Sequence, residues 1–316
     1  MERLKYLDSF TLASADEEAG FVLSYPAKLE MQCYSDSAYP FKIFPQKKLR
    51  TLRFEQITLL YGGNGSGKST LLNVIAEKLS LERRVPVFIS RDNRYFQDAY
   101  QGMPLDGYTP LFEDYLAFCS YVPTAARRMP VGSAVITSDD VFDFLLDLRA
   151  INAGVDRRRE ALFEEYDRTK ETKSVPLRSL EDYDALKRFN EGKRSTKSAY
   201  VTRRLPKSLN TASNGESAFA YFSDRIGENA LYLLDEPENS LSAKLQEELA
   251  KFIEDSARFY GCQFVISTHS PFLLALKGAR IYDLDAVPAC ERRWTELENV
   301  RVYRDFFEKH RSAFQK

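Results

Sequence analysis

Nowhere does the 316-residue sequence contain the run of about 18 apolar residues that a helix needs to cross a bilayer, so no membrane insertion is expected. Its first residues, MERLKYLDSFTLASADEE, lack the apolar stretch of a secretory signal and turn acidic. The four cysteines, Cys33, Cys119, Cys262 and Cys290, form no C-x-x-C pair and no zinc-ligand spacing. They read as reduced thiols of a cytoplasmic protein. Net charge is nearly absent as well, at −1. The molecule as a whole therefore has no electrostatic reason to bind nucleic acid or a charged membrane, and any basic footprint must be local. Internal repeats, low-complexity tracts and sustained heptads are also missing. Hydrophobic residues at 44% and charged residues at 29% are ordinary for a soluble globular chain. The length suits one large α/β domain with an insertion, or two small domains.

One stretch organises the rest. Tyr61 to Thr70 reads YGGNGSGKST and contains G-x-x-x-x-G-K-S. A phosphate chain has to be wrapped by backbone N–H groups at close range, and Gly62, Gly63, Gly65 and Gly67 permit that approach between Asn64 and Ser66. Lys68 is placed to reach the β- and γ-phosphates, the Ser69 hydroxyl to hold Mg²⁺, and Thr70 follows on the same turn. The context agrees. Ile57–Tyr61 is a short apolar run suited to a buried parallel strand. After Ser69, Leu72, Ile75, Ala76 and Leu79 share one helical face, so the loop opens onto a helix N-terminus that itself favours anions.

Residues 1–60 read as β-rich, with Lys28–Cys33 and Thr51–Phe54 alternating and X-Pro steps cutting the segment into short pieces. A small antiparallel sheet leading into the loop strand is expected. Among Tyr39, Phe41 and Phe44 an aromatic could stack on adenine, although core packing is the favoured reading for each. Val85–Ser90 is the next expected strand. From about 102 to 210 the βα rhythm disappears, and helices are expected from Ser138-Asp139 onward, over Arg157–Thr169 and over Leu180–Phe189. Within Leu186–Ser208, Lys187, Arg188, Lys193, Arg194, Lys197, Arg203, Arg204 and Lys207 face only Glu191. Such a run suits a solvated face first, and a phosphate-backbone or acidic-partner contact second. From Thr211 the α/β pattern returns. Strands are expected over Ala230–Leu234, Gln263–Thr268 and Ala279–Leu284, with helices over Leu241–Tyr260 and from Pro271. The residues after Asp285 leave no room in this sequence for a separate catalytic domain.

Three further features narrow the chemistry. LYLLDEP (Leu231–Pro237) is an apolar strand delivering two carboxylates at its C-terminal end, where ligands sit in open α/β sheets. Asp235 is expected to hold Mg²⁺ through water, and Glu236 to act as the general base that polarises the attacking water. Ser213 and Gly215, in SNGES before an expected helix, would form a second anion site, though the same string makes a good N-cap. His269, flush against the end of QFVIST, is expected to hydrogen-bond the γ-phosphate and orient the water, against the blander reading of a structural histidine.

In this order, GGNGSGKST, SNGES, LYLLDEPENSL and STHS resemble the ABC-type ATPases. They are closer to the soluble, non-transport members often labelled AAA-family or predicted ATPases, relatives of the SMC, RecF and OLD ATPases. The likeness covers roughly residues 50–101 and 211–285. It implies a P-loop α/β fold with an ABC-type ATPase core, an N-terminal antiparallel β subdomain and an enlarged helical insertion. Residues 1–101 and 211–316 would form the discontinuous ATPase domain, and residues 102–210 a helical, charged lid. It also implies roles for matching positions: Lys68 and Ser69 in Walker A, Asp235 and Glu236 in Walker B, and His269 as the switch histidine. Ser213 and Gly215 would contact the γ-phosphate bound by the other subunit, and Asn239, Ser240 and Leu241 would cross the dimer as the D-loop. The signature departs from LSGGQ, with Asn214 for the first Gly and Glu216 for the Gln. A Q-loop glutamine is expected after the second core strand, where Gln97 or Gln101 could serve.

The reading is thus Mg²⁺-dependent ATP hydrolysis driving association and separation of a homodimer with composite ATP sites. For the process it serves, the first expectation is nucleic-acid-linked or phage-defence work with a partner effector, met through the 102–210 insertion. The second is a nucleotide-gated protein-interaction module without nucleic-acid binding. The third, an ATPase subunit of a transporter, is disfavoured by the non-LSGGQ signature and the large charged insertion.

Overall fold

The computed structural model describes residues 5–24, 39–83, 110–124, 129–171 and 213–315. Its centre is a seven-stranded sheet. The members in chain order are β3 (Ile57–Tyr61), β4 (Glu82–Arg83), β6 (Ala134–Thr137), β7 (Leu231–Asp235), β8 (Gln263–Ser267), β9 (Arg280–Asp283) and β10 (Cys290–Glu291). In space they run β10-β9-β3-β8-β7-β6-β4, and only β10 is antiparallel to its neighbour. Strands β3, β6 and β8 are buried throughout, and β7 is buried up to Asp235. That accounts for sequences such as ITLLY and QFVIS, which are apolar on both faces as central parallel strands must be.

A three-stranded antiparallel sheet lies beside it, ordered β2 (Thr51–Arg53), β1 (Leu7–Thr11), β5 (Ser120–Pro123). The antiparallel sheet was expected, and Thr51–Arg53 belongs to it. Lys28–Cys33 lies outside the described residues, and Leu7–Thr11 is a member that sequence patterning did not single out. Phe41 and Phe44 are buried in the core with Tyr115, and Tyr39 stacks on Phe112, so the three candidate adenine platforms are packing residues here.

Two units divide the chain, one of residues 1–142 with 214–316 and one of residues 143–213. The boundary differs from the expected one at 101/102. Residues 120–123 and 134–137 pair into the two sheets of the first unit, so the βα rhythm continues past residue 102. The AVIT run of β6 is four residues long, too short for periodicity to reveal. It leads into α4 (Ser138–Glu171), a single helix where two were expected. Its cap is Thr137 rather than Ser138: the Thr137 hydroxyl accepts from Asp140 N–H at 3.2 Å while Asp140 Oδ2 accepts from Thr137 N–H at 2.8 Å. In the second unit Leu162, Phe163 and Tyr166 form an apolar cluster of their own. The Leu180–Phe189 helix, the basic Leu186–Ser208 run, Val85–Ser90, Gln97 and Gln101 all fall outside the described residues.

Helix α2 (Lys68–Lys78) follows β3, and α6 (Ala243–Phe259) connects β7 to β8. The latter buries Leu249, Ile253, Ser256 and Ala257. The remaining helices are α1 (Ala15–Ser24), α3 (Pro110–Phe118), α5 (Asn214–Arg225), the short α7 (Pro271–Leu274) and α8 (Glu298–Lys309). Among the described residues no helix is long and apolar enough to cross a membrane.

One side chain joins the two sheets. Gln263 is fully buried at the start of β8. Its Oε1 accepts from Tyr6 N–H at 2.7 Å and Leu7 N–H at 2.9 Å, while its Nε2 donates to Leu7 O at 2.8 Å and Glu55 O at 3.1 Å. A near-isosteric apolar residue leaves those backbone groups without partners, and each such loss costs about 1–3 kcal/mol. Gln263→Leu is therefore expected to lower the unfolding free energy by about 3 kcal/mol or more. Urea denaturation is the measurement.

Candidate functional site

Strands β3, β8 and β7 end side by side, with Leu60 opposite Ser267 and Ser267 opposite Asp235. The glycine-rich loop leaves β3 at this level and turns directly into α2. Gly65 and Gly67 have φ of 79° and 91°, in the left-handed region that glycine adopts without strain. A Cβ on Gly67 would also meet Ile43 at 3.0 Å, and one on Gly62 would meet Ser66 Oγ at 2.5 Å. The loop's closeness to itself and to its surroundings thus demands glycine. Gly63 N–H donates to Asp285 Oδ2 at 2.7 Å, which ties the start of the loop to the end of β9.

Lys68 is buried, with 5% of its surface exposed. Its ammonium donates to Gly62 O at 2.6 Å and Gly63 O at 3.1 Å and lies 3.4 Å from Glu236 Oε1. Ser69 Oγ donates to Asp235 Oδ1 at 3.1 Å, and the Ser267 hydroxyl makes a second, short bond to the same oxygen. Burial raises the Asp235 pKa above the ordinary carboxylate range. The two serine hydroxyls pull it back, neighbouring Glu236 pushes it further up, and Lys68 lowers it slightly.

Glu236 sits at φ 46°, an uncommon conformation for a residue with a side chain, held by its N–H donating to Ser267 O at 3.0 Å and Ser267 Oγ at 3.1 Å. Asn239 Nδ2 donates to Glu236 Oε2 at 3.1 Å. His269 follows β8, and its Nδ1 lies 3.9 Å from Glu236 Oε1 and 3.5 Å from Glu238 Oε1. Lys68, Ser69, Asp235, Glu236 and His269, expected together, are thus brought together at the ends of three adjacent parallel strands.

The signature segment begins a helix as expected. Ser213 immediately precedes α5, and Gly215 lies in its first turn. A Cβ on Gly215 would meet Leu245 Cδ1 at 2.8 Å and Ser240 O at 3.5 Å, so this glycine allows α5 to approach α6 and the turn before it. Phe219 and Phe252 extend that contact edge to face.

Several residues went unsignalled. Ser267 and Asp285 are ordinary strand-end residues by sequence. Asn299, at the start of α8, takes its place only through folding, with its N–H donating to the Tyr61 hydroxyl at 3.1 Å and its Nδ2 to His269 O at 2.8 Å. Glu238 had a faint signal, a third carboxylate within DEPEN.

A family model described as "AAA domain, putative AbiEii toxin, Type IV TA system" matches residues 138–275, a span that holds β7, β8 and their connecting helix but not the glycine loop. A second, "UDP-galactopyranose mutase", matches residues 73–120, a span that includes neither the glycine loop nor the ends of β7 and β8. No curated protein matches the chain in sequence. Solved structures similar in fold include the Smc head domain with an extended coiled coil bound to the C-terminal domain of ScpA from Pyrococcus furiosus. It is 16% identical, with 83% of this chain and 95% of that chain covered at a TM-score of 0.35. The dimeric structure of the bacterial ABC transporter cassette MJ0796 is 16% identical, with 78% and 90% covered at 0.34. The SMC head domain from Thermotoga maritima is 14% identical, with 77% and 92% covered at 0.33. With the order of its motifs and the AAA-domain match, the chain is similar to ABC-type, SMC-related ATPases.

Proposed function

We propose that this protein binds ATP with Mg²⁺ and hydrolyses it. The observation that carries the reading is the convergence of Lys68, Ser69, Asp235, Glu236 and His269 on one strand-end level. In this reading the loop N–H groups from Gly63 to Thr70 and the start of α2 receive the phosphates. Lys68 exchanges its loop carbonyls for β- and γ-phosphate oxygens. Glu236 accepts a proton from the attacking water, and His269 orients that water beside the γ-phosphate.

The residues present fit Mg²⁺. Ser69 Oγ and Asp235 Oδ1 are hard oxygen donors 3.1 Å apart. Among the described residues no group of three or more His, Cys, Asp or Glu side chains could hold a metal, so the other positions would fall to phosphate oxygens and water, as Mg²⁺ prefers. Bound there, the ion would neutralise charge developing on the phosphates.

ATP-driven homodimerisation extends the proposal. Ser213 and Gly215 would face the γ-phosphate of the partner's site, and Asn239–Leu241 would cross the dimer. The partner effector and a role in defence are proposed at a further remove, and the family description matched over residues 138–275 is what favours them. Nucleic-acid binding would then fall steeply with salt.

Replacing Glu236 by Gln is expected to slow hydrolysis by about 10²–10⁴-fold. ATP binding should survive, so the variant accumulates as an ATP-bound dimer on size-exclusion chromatography. Hydrolysis at the wild-type rate overturns the general-base role. Lys68→Ala is expected to lose ATP binding itself, as read by titration calorimetry.

Asp235 yields a stability prediction of opposite sign. Its folded-state pKa is raised, so the stability it contributes is full below the ordinary carboxylate range and is lost as pH rises through the raised value. Without nucleotide or Mg²⁺, Asp235→Asn is therefore expected to melt at a higher temperature than wild type near neutral pH. Thermal melts across about pH 4 to 8 should show a flatter pH dependence for the variant. The same variant should lose ATP hydrolysis.

A further inference from the structure

The turn after β7 and the turn after β8 are fastened by a carboxylate that the proposed reaction does not use. Glu238 is 4% exposed. Its Oε1 accepts from the Thr268 hydroxyl at 2.6 Å, His269 N–H at 2.8 Å and Ser270 N–H at 3.1 Å. The same oxygen is 3.5 Å from His269 Nδ1. Gln246 reinforces the joint from α6: its Nε2 donates to Leu241 O at 2.9 Å, and its Oε1 accepts from the Ser270 hydroxyl at 2.7 Å. Asn299 holds the His269 carbonyl from the other side. The backbone of His269 is thus gripped by side chains from two elements.

The imidazole itself is half-exposed, with Nδ1 facing two carboxylates, Glu238 at 3.5 Å and Glu236 at 3.9 Å. A ring nitrogen beside acceptors carries the proton, and its partner nitrogen is left bare. We propose that Glu238 is a positioning residue for His269: it fixes the Thr268–Ser270 turn and orients the imidazole with Nδ1 toward the carboxylates, so that the bare Nε2 is left to accept from the attacking water and orient it. Glu238 acts as an acceptor, not through its charge, and it does not touch the substrate. The inference rests on the ATPase reading for its kinetic consequence, but its spectroscopic consequence is independent of it.

Two histidines in the whole chain, His269 and His310, make the test practicable. Imidazole ¹⁵N spectra of the uniformly labelled full chain, recorded above the imidazole titration range and assigned with a His269→Asn variant, report which ring nitrogen is protonated. Wild type is expected to show His269 mainly protonated on Nδ1. Glu238→Ala is expected to move it toward the Nε2-protonated form that an unconstrained histidine side chain prefers. It should also reduce kcat by about 10²-fold, the scale of a small misplacement near the chemistry, with KM for ATP within about twofold of wild type. Glu238→Gln, whose amide oxygen still accepts from the three donors, should restore the wild-type tautomer and most of kcat.

Unchanged His269 spectra in Glu238→Ala overturn the proposal. So does Glu238→Gln falling as far as Glu238→Ala, because charge would then be what matters. Should Glu238→Ala fail to fold, Glu238→Asp withdraws the carboxylate by one methylene and is decided by the same two outcomes. A wild-type protein without ATPase activity would refute the proposed function, while the tautomer comparison would still decide the role of Glu238.

Discussion

The register of three parallel strands is the constraint on which the site depends. Because Leu60, Ser267 and Asp235 lie opposite one another, the loop after β3 emerges level with a serine and a carboxylate. Asp235 is thereby partly withdrawn from water, and its acidity is set by burial against the two hydroxyls of Ser69 and Ser267. A slip of one residue in any of these strands would turn the polar end groups to the wrong face of the sheet.

Around this line the protein satisfies its charges internally. Lys68, in a nearly closed environment, divides its donors between its own loop carbonyls and Glu236. A phosphate entering the loop, as proposed, would compete with all three for one ammonium. Ligand affinity is therefore a difference between two well-solvated states of the lysine rather than the full strength of a lysine–phosphate contact. Glu236 is likewise held in place by Asn239 and by a strained backbone angle that two hydrogen bonds to Ser267 over-determine.

The antiparallel sheet and α8 support the same centre from either side. Gln263 seals the antiparallel sheet to the base of β8 with four hydrogen bonds. Asn299 anchors α8 at Tyr61, where the loop begins, and at His269. The outer face of α8 carries exposed Val302, Tyr303, Phe306 and Phe307. An element that is apolar outside and pinned at the site inside links the surface to the turn that carries His269.

By itself, the sequence determined the glycine-rich loop and its place between β3 and α2, because so close a backbone approach needs glycines at fixed spacing. It also determined β3, β7 and β8 to within a residue, because strands buried on both faces are uniformly apolar. What it left unresolved is non-local. The AVIT strand was hidden by its brevity, and its place between β4 and β7 followed only from pairing. The partnership of Glu238 with a turn some thirty residues away has no local signature, since a buried carboxylate and a solvated one are written with the same letter. Only the tertiary structure decided which acid stands at the mouth of the site and which is buried behind it, because hydrogen-bond donors from separate segments meet only once the sheet has formed.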